Sequence, residues 1–200
     1  MKRHFNQLLD LKGNTIYVDS ETSGLDVTRY KIWSVQIGDG TNSTLIVQPD
    51  EDAEFRRYLK EMIEGRLFVA HNAKFDLQVM WKLGIYPRNI WCTRIMEDIL
   101  NIGKNYDPSL KGVLKKYKLA DLTKEIRGDF YLDVNGKPSE ESGLPTVFEV
   151  NGKIWTPELI DYAFEDIEYL PEVLQIQKGR IVREGLQELH KVENEYVRSA

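Results

Sequence analysis

The feature that most constrains this chain is a change of rhythm along it, from short strand-like runs to an alternation of helical and strand-like stretches. Residues 15–19 (T-I-Y-V-D) are β-branched and aromatic, the composition of a buried strand. Ser20 to Asp26, with Gly24 inside it, reads as a turn. Residues 31–38 (K-I-W-S-V-Q-I-G) alternate and stop at Gly38-Asp39-Gly40, a hairpin signal, and 43–48 (S-T-L-I-V-Q) return. Pro49-Asp50 opens an acidic helical stretch to about Ile63, with Phe55, Tyr58, Leu59 and Met62 at helical spacing. Residues 67–70 (L-F-V-A) form a fourth strand, and helical periodicity over 73–83 closes at Gly84. A short strand at Ile90-Trp91-Cys92 precedes a helix over 93–102, and Ser109 caps another to about Tyr117. Thr156-Pro157-Glu158 starts a helix that runs to about Leu170, where Pro171 kinks it or begins a new one. Three antiparallel strands followed by alternating helices and strands predict an α/β fold, a mixed sheet with helices on both faces.

At 200 residues the chain fits a single domain with a full hydrophobic core. It holds no internal repeat and no interdomain linker. Residues 129–156 are polar and marked by Gly136, Pro138, Gly143, Pro145 and Gly152, so they read as a loop or hairpin excursion. Residues 172–200 read as a charged C-terminal helix. No apolar run is long enough to cross a membrane, and the N-terminus lacks the apolar stretch of a secretory signal. One cysteine, Cys92, excludes an internal disulfide and points to a reducing, cytoplasmic setting. Together with three scattered histidines it also excludes a Cys/His zinc site. The net charge of −5 argues against a general nucleic-acid binder. Between Lys104 and Arg127, however, seven basic residues stand against three acidic ones. That stretch is either a solvated helix face or a phosphate-tracking patch.

The chemistry lies in carboxylates at matched spacings. In Asp19-Ser20-Glu21, residues i and i+2 of a strand point to one face, so the two acids project side by side. Two carboxylates held that close need a positive charge between them, and hard oxygen ligands suit Mg2+ or Mn2+. In His71-Asn72-Ala73-Lys74-Phe75-Asp76, Asn72 and Asp76 are four apart on a helix that follows a strand. Tyr162 and Asp166 repeat that spacing near the end. Taken singly, each has an ordinary explanation as a solvated strand end, a helix cap, a core tyrosine or a surface acid.

Taken in order, the three motifs resemble the DEDD superfamily of 3′→5′ exonucleases. That pattern is D-x-E, then N-x-x-[FY]-D, then Y-x-x-x-D, and here it reads D-S-E at 19–21, N-A-K-F-D at 72–76 and Y-A-F-E-D at 162–166. The resemblance covers about residues 14–172. The position five before the final Asp is Asp161, and Tyr162 stands four before it, so the chain is similar to the tyrosine (DEDDy) branch. That branch includes the proofreading domains of family A DNA polymerases, the nearest likeness, and ribonuclease D. His71 is therefore not the histidine of the other branch.

The resemblance implies a ribonuclease H-like fold and a two-metal hydrolysis of phosphodiester bonds. Asp19, Glu21, Asp76 and Asp166 would hold two ions, Mg2+ or Mn2+, about 3.5–4 Å apart. Tyr162 would orient the attacking water, since a phenol with a reference pKa of about 10 is a poor base at neutral pH. Thr22 and Leu25 would contact the terminal nucleotide, with Asn72 and Phe75 on the substrate side. Lys111 and Lys115 would guide the phosphates of a single-stranded DNA 3′ end. The leading expectation is a DNA 3′→5′ exonuclease in proofreading or DNA processing, either excised from a polymerase or free-standing. The rival is an exoribonuclease of ribonuclease D type. A third class, a non-catalytic module that only binds nucleic acid, is disfavoured because all four acids and Tyr162 are present.

Overall fold

The computed structural model describes residues 1–24, 26, 28–120 and 157–199. Six strands form one sheet: β1 (Lys2–Phe5), β2 (Thr15–Thr22), β3 (Ile32–Gly38), β4 (Asn42–Val47), β5 (Leu67–Ala70) and β6 (Asn89–Cys92). Their order across the sheet is β1-β4-β3-β2-β5-β6. The β2-β3-β4 meander is antiparallel, whereas β1 pairs with β4, β5 with β2 and β6 with β5 in parallel. The helices are α1 (Ala53–Ile63), α2 (Ala73–Lys82), α3 (Thr93–Leu100), α4 (Leu110–Tyr117), α5 (Pro157–Glu168), α6 (Leu170–Arg183) and α7 (Gln187–Ser199).

The sheet is covered on both faces, as expected. Strand alternation sorts its side chains into two cores. On one face Ile16, Val18, Val35, Ile37 and Phe68 pack with Leu59 and Ile63 of α1 and Leu77 of α2. On the other, Tyr17, Leu45, Val69 and Trp91 pack with Phe164 and Ile167 of α5 and Val173 and Leu174 of α6. Each fully buried side chain of this size contributes about 1.5–3 kcal/mol relative to exposure.

Most local signals hold. α1 starts at Ala53, later than the expected opening at Pro49-Asp50, with Asp52 as its cap accepting from the backbone N–H of Glu54 and Phe55. Ser109 caps α4, accepting from Gly112. Gly84, at φ +75°, closes α2 with paired bonds from Ile85 N to Met80 O and from Gly84 N to Trp81 O. Pro171 begins a new helix, the second of its two expected roles. Cys92 is buried.

Other readings are revised. β2 does not turn at Ser20 but runs on to Thr22, because its pairing with β3 continues through Glu21. Lys2–Phe5, in a stretch for which no element is predicted, is an edge strand held by parallel pairing to β4, a partner forty residues away that local pattern does not reveal. The expected single tail helix is two, α6 and α7. Gly185 at φ +69° ends α6 with bonds from Leu186 N to Ile181 O and from Gly185 N to Val182 O. Thr156 and the 129–156 excursion lie outside the described residues.

Candidate active site

The site begins on β2. Asp19 and Glu21 share the face of Tyr17, which is the face covered by α5. α5 carries Tyr162 and, one turn later, Asp166. The result is that Asp19, Glu21 and Asp166, all partly buried, each place one carboxylate oxygen within 4.8 Å of the others. Three anionic oxygens in that space repel one another unless a cation offsets them. The donors are hard oxygens, so the set fits a divalent ion of the Mg2+ or Mn2+ kind.

Asp76 stands beside this trio without belonging to it. It sits in the first turn of α2 and is 2% exposed. Ser20, between the two β2 acids but pointing to the opposite face, donates from Oγ to Asp76 Oδ1 at 2.6 Å. Burial pushes the Asp76 carboxyl well above the usual carboxylate range, against the pull of the Ser20 bond, and the Asp166 charge adds to the rise. The fourth acid is thus within electrostatic reach of the third. A carboxylate this costly to ionise in isolation is one that a neighbouring cation would stabilise.

The remaining expected residues fall as follows. Tyr162 is buried, at 7% exposure. Thr22 donates from Oγ1 to Gly24 O at 2.7 Å and so fastens the turn after β2. Leu25 lies outside the described residues. Asn72 is exposed, adopts the left-handed conformation at φ 66°, and makes no side-chain cap bond to α2. It stands at the N-cap position of α2, as its ordinary reading has it, but its side chain does not do the capping. Phe75 is half-buried, its ring 6.0 Å from that of Tyr30. Lys111 and Lys115 lie on α4, the first half-buried and the second exposed.

Sequence reasoning missed several neighbours. His71 Nδ1 lies 2.9 Å from Thr93 Oγ1 and Nε2 lies 3.0 Å from Pro108 O, so the ring ties the end of β5 to α3 and to the approach of α4. Glu97 of α3, fully buried, accepts from Lys116 Nζ (2.5 Å), Tyr117 Oη (2.6 Å), Asn101 Nδ2 (2.8 Å) and Gln177 Nε2 (3.1 Å). This network anchors basic α4 to α3 and α6. Arg3 of β1 pairs with Asp161 (2.7 Å) and Glu168 (2.5 Å), bracketing α5 from behind. Tyr30 Oη and Gln36 Oε1 are buried without a hydrogen-bond partner. No spacing rule points to these residues, because each depends on a cross-strand or inter-helix neighbour.

A mixed sheet with carboxylates from a central strand and a crossing helix defines the ribonuclease H-like nuclease class. Residues 1–178 match the 3′-5′ exonuclease family of A-type DNA polymerases, and the chain belongs to that family. It is a 3′-5′ exonuclease of the DEDD type, in a group of enzymes that use divalent metal ions. DNA polymerase I of Aquifex aeolicus is 36% identical over 86 residues, which are 42% of this chain and 14% of the polymerase. The chain thus matches a small part of that relative. Brucella melitensis NrnC superposes with a TM-score of 0.74 at 18% identity, covering 99% of this chain and 90% of that one. Escherichia coli RNase D, an exoribonuclease, gives 0.67 at 17% identity, covering 93% of this chain and 44% of that one. Among the described residues no helix is long and apolar enough to cross a membrane.

Proposed function

We propose that this chain removes nucleotides from the 3′ end of single-stranded DNA, with Asp19, Glu21, Asp76 and Asp166 holding two Mg2+ or Mn2+ ions. The observation that carries this reading is the meeting of Asp19, Glu21 and Asp166 oxygens within 4.8 Å. When bound, such ions neutralise phosphate charge and make a water nucleophilic near neutral pH. The chain's own residues then have separable tasks. Asp19 and Glu21 are held by the β2–β3 pairing, which continues past both, and Asp166 by a helix packed on that face, so the trio is set before substrate arrives. Tyr162 orients the attacking water through its hydroxyl. Thr22, which fastens the turn after β2, and Leu25, three residues on in the sequence, contact the terminal nucleotide, with Asn72 and Phe75 on the substrate side. Lys111 and Lys115 draw the phosphates along α4. The whole 1–200 stretch acts as one exonuclease unit, and a polymerase domain is the partner suggested by the polymerase I match.

A second reading, an exoribonuclease, is favoured by the likeness to RNase D and by NrnC, which has been solved bound to pGG. Rates on 5′-labelled DNA and RNA of one sequence decide between them. The DNA reading expects DNA to be shortened at least about tenfold faster, the size of effect that one site-specific contact gives (about 1.4 kcal/mol). Equal or faster loss of RNA overturns it in favour of the ribonuclease. In the same assay Tyr162→Phe lowers kcat, while Mn2+ affinity of the substrate-free protein stays at the wild-type value. Loss of Mn2+ binding in Tyr162→Phe contradicts the role given to this residue.

A further inference from the structure

We propose that Gln36 is a positioning residue for the divalent cation, its amide carbonyl accepting a hydrogen bond from a water on that ion. β3 is buried along its whole length, yet it carries two polar side chains, Ser34 and Gln36, both 0% exposed. The β2–β3 register sets Gln36 opposite Asp19 and Ser34 opposite Glu21. Directly opposed residues of antiparallel strands share a face, with Cβ atoms roughly 4.5–5.5 Å apart. Two buried polar groups thus lie beside the two β2 carboxylates, on the side that α5 covers. Gln36 Nε2 donates to Ser34 Oγ at 3.0 Å, which fixes the amide plane. Gln36 Oε1 is left as a buried acceptor with no hydrogen-bond partner.

An unpaired amide carbonyl in a sheet interior carries its full desolvation cost, and an apolar side chain at position 36 would avoid it. A cation held by Asp19 changes this. Its bound water is a strong donor, and outer partners of this kind orient the ligands and raise affinity. The inference rests on the reading that Asp19, Glu21 and Asp166 hold a cation.

The test is Mn2+ titration of the substrate-free protein by electron paramagnetic resonance, with thermal melting of the metal-free forms. Gln36→Met keeps the volume and removes the acceptor, and it should weaken Mn2+ by about tenfold or more while the metal-free midpoint stays level or rises. Gln36→Glu keeps an acceptor oxygen and should bind Mn2+ at least as tightly as wild type. Wild-type Mn2+ affinity in Gln36→Met overturns the proposal. So does an equal loss in both variants with a lowered metal-free midpoint, which marks a packing role. If Gln36→Met fails to fold, Gln36→Glu decides alone, and weaker binding than wild type overturns the proposal. A wild-type protein that binds no Mn2+ removes the cation reading itself, a result distinct from all of these.

Discussion

Replacing Asp19 with alanine should abolish 3′-end shortening, by at least about 10³-fold in kcat, while leaving the protein folded. A loss of that size is expected when one member of a set that acts as a unit is removed. The structural argument is specific to the site. Asp19 pairs with Gln36 of β3 just beyond the last β2–β5 pair, and its side chain converges with Glu21 and Asp166 rather than holding the core together. Removing one of three mutually repelling carboxylates relieves the metal-free protein. The metal-free melting temperature should therefore stay level or rise, and Mn2+ should no longer raise it. A variant that melts well below wild type would make Asp19 a structural residue instead. One that keeps more than a tenth of wild-type activity would remove it from the catalytic set.

Glu97→Ala should show the largest effect on stability, and for a reason unrelated to chemistry at the acids. Truncation leaves the donors of Lys116, Tyr117, Asn101 and Gln177 without their shared acceptor. Breaking a buried pair costs about 3–5 kcal/mol. The lower end applies here, because the Lys116 side chain is 35% exposed and can recover water. The pH dependence follows from the sign of the shift. Burial alone would raise the Glu97 pKa, but its hydrogen bonds, led by Lys116, outweigh that and hold it below the usual range. A depressed folded pKa gives stability that is present above the unfolded value of about 4.3 and lost as the pH falls through the folded value. Urea unfolding at pH 7 and at pH 3 should therefore show the wild-type advantage large at the first and small at the second. An equal gap at both pH values contradicts this account. Because the network anchors α4, the same variant should raise KM for the strand more than it lowers kcat.

How much of this was legible beforehand depends on the range of each interaction. The α/β class, the hairpin at Gly38-Asp39-Gly40, the Ser109 cap and the Gly84 stop depend on neighbours within a few residues, and they are readable as pattern. The site is a partial case. The i+2 spacing of Asp19 and Glu21 and the i+4 spacing of Tyr162 and Asp166 fix which residues share a face. What brings β2 under α5 is tertiary packing, which spacing does not encode. The resemblance of three ordered motifs supplied that step. Asp76 shows the limit: its motif was plain, but not its burial or its bond from Ser20, which points away from the acids on either side of it. Gln36 and Ser34 look like routine alternation in K-I-W-S-V-Q-I-G until the register sets them against Asp19 and Glu21. Glu97 reads as a surface acid on an amphipathic helix, and its four partners come from three parts of the chain.

The central claim is that these carboxylates work through divalent metal at a 3′ end. It is tested most directly by incubating 5′-labelled single-stranded DNA with the protein in Mg2+, in Mn2+ and in excess EDTA, then resolving the products by length. The account predicts a ladder receding from the 3′ end with either metal and intact substrate in EDTA. A ladder that persists in EDTA, or label released first as a mononucleotide from the 5′ end, would contradict it.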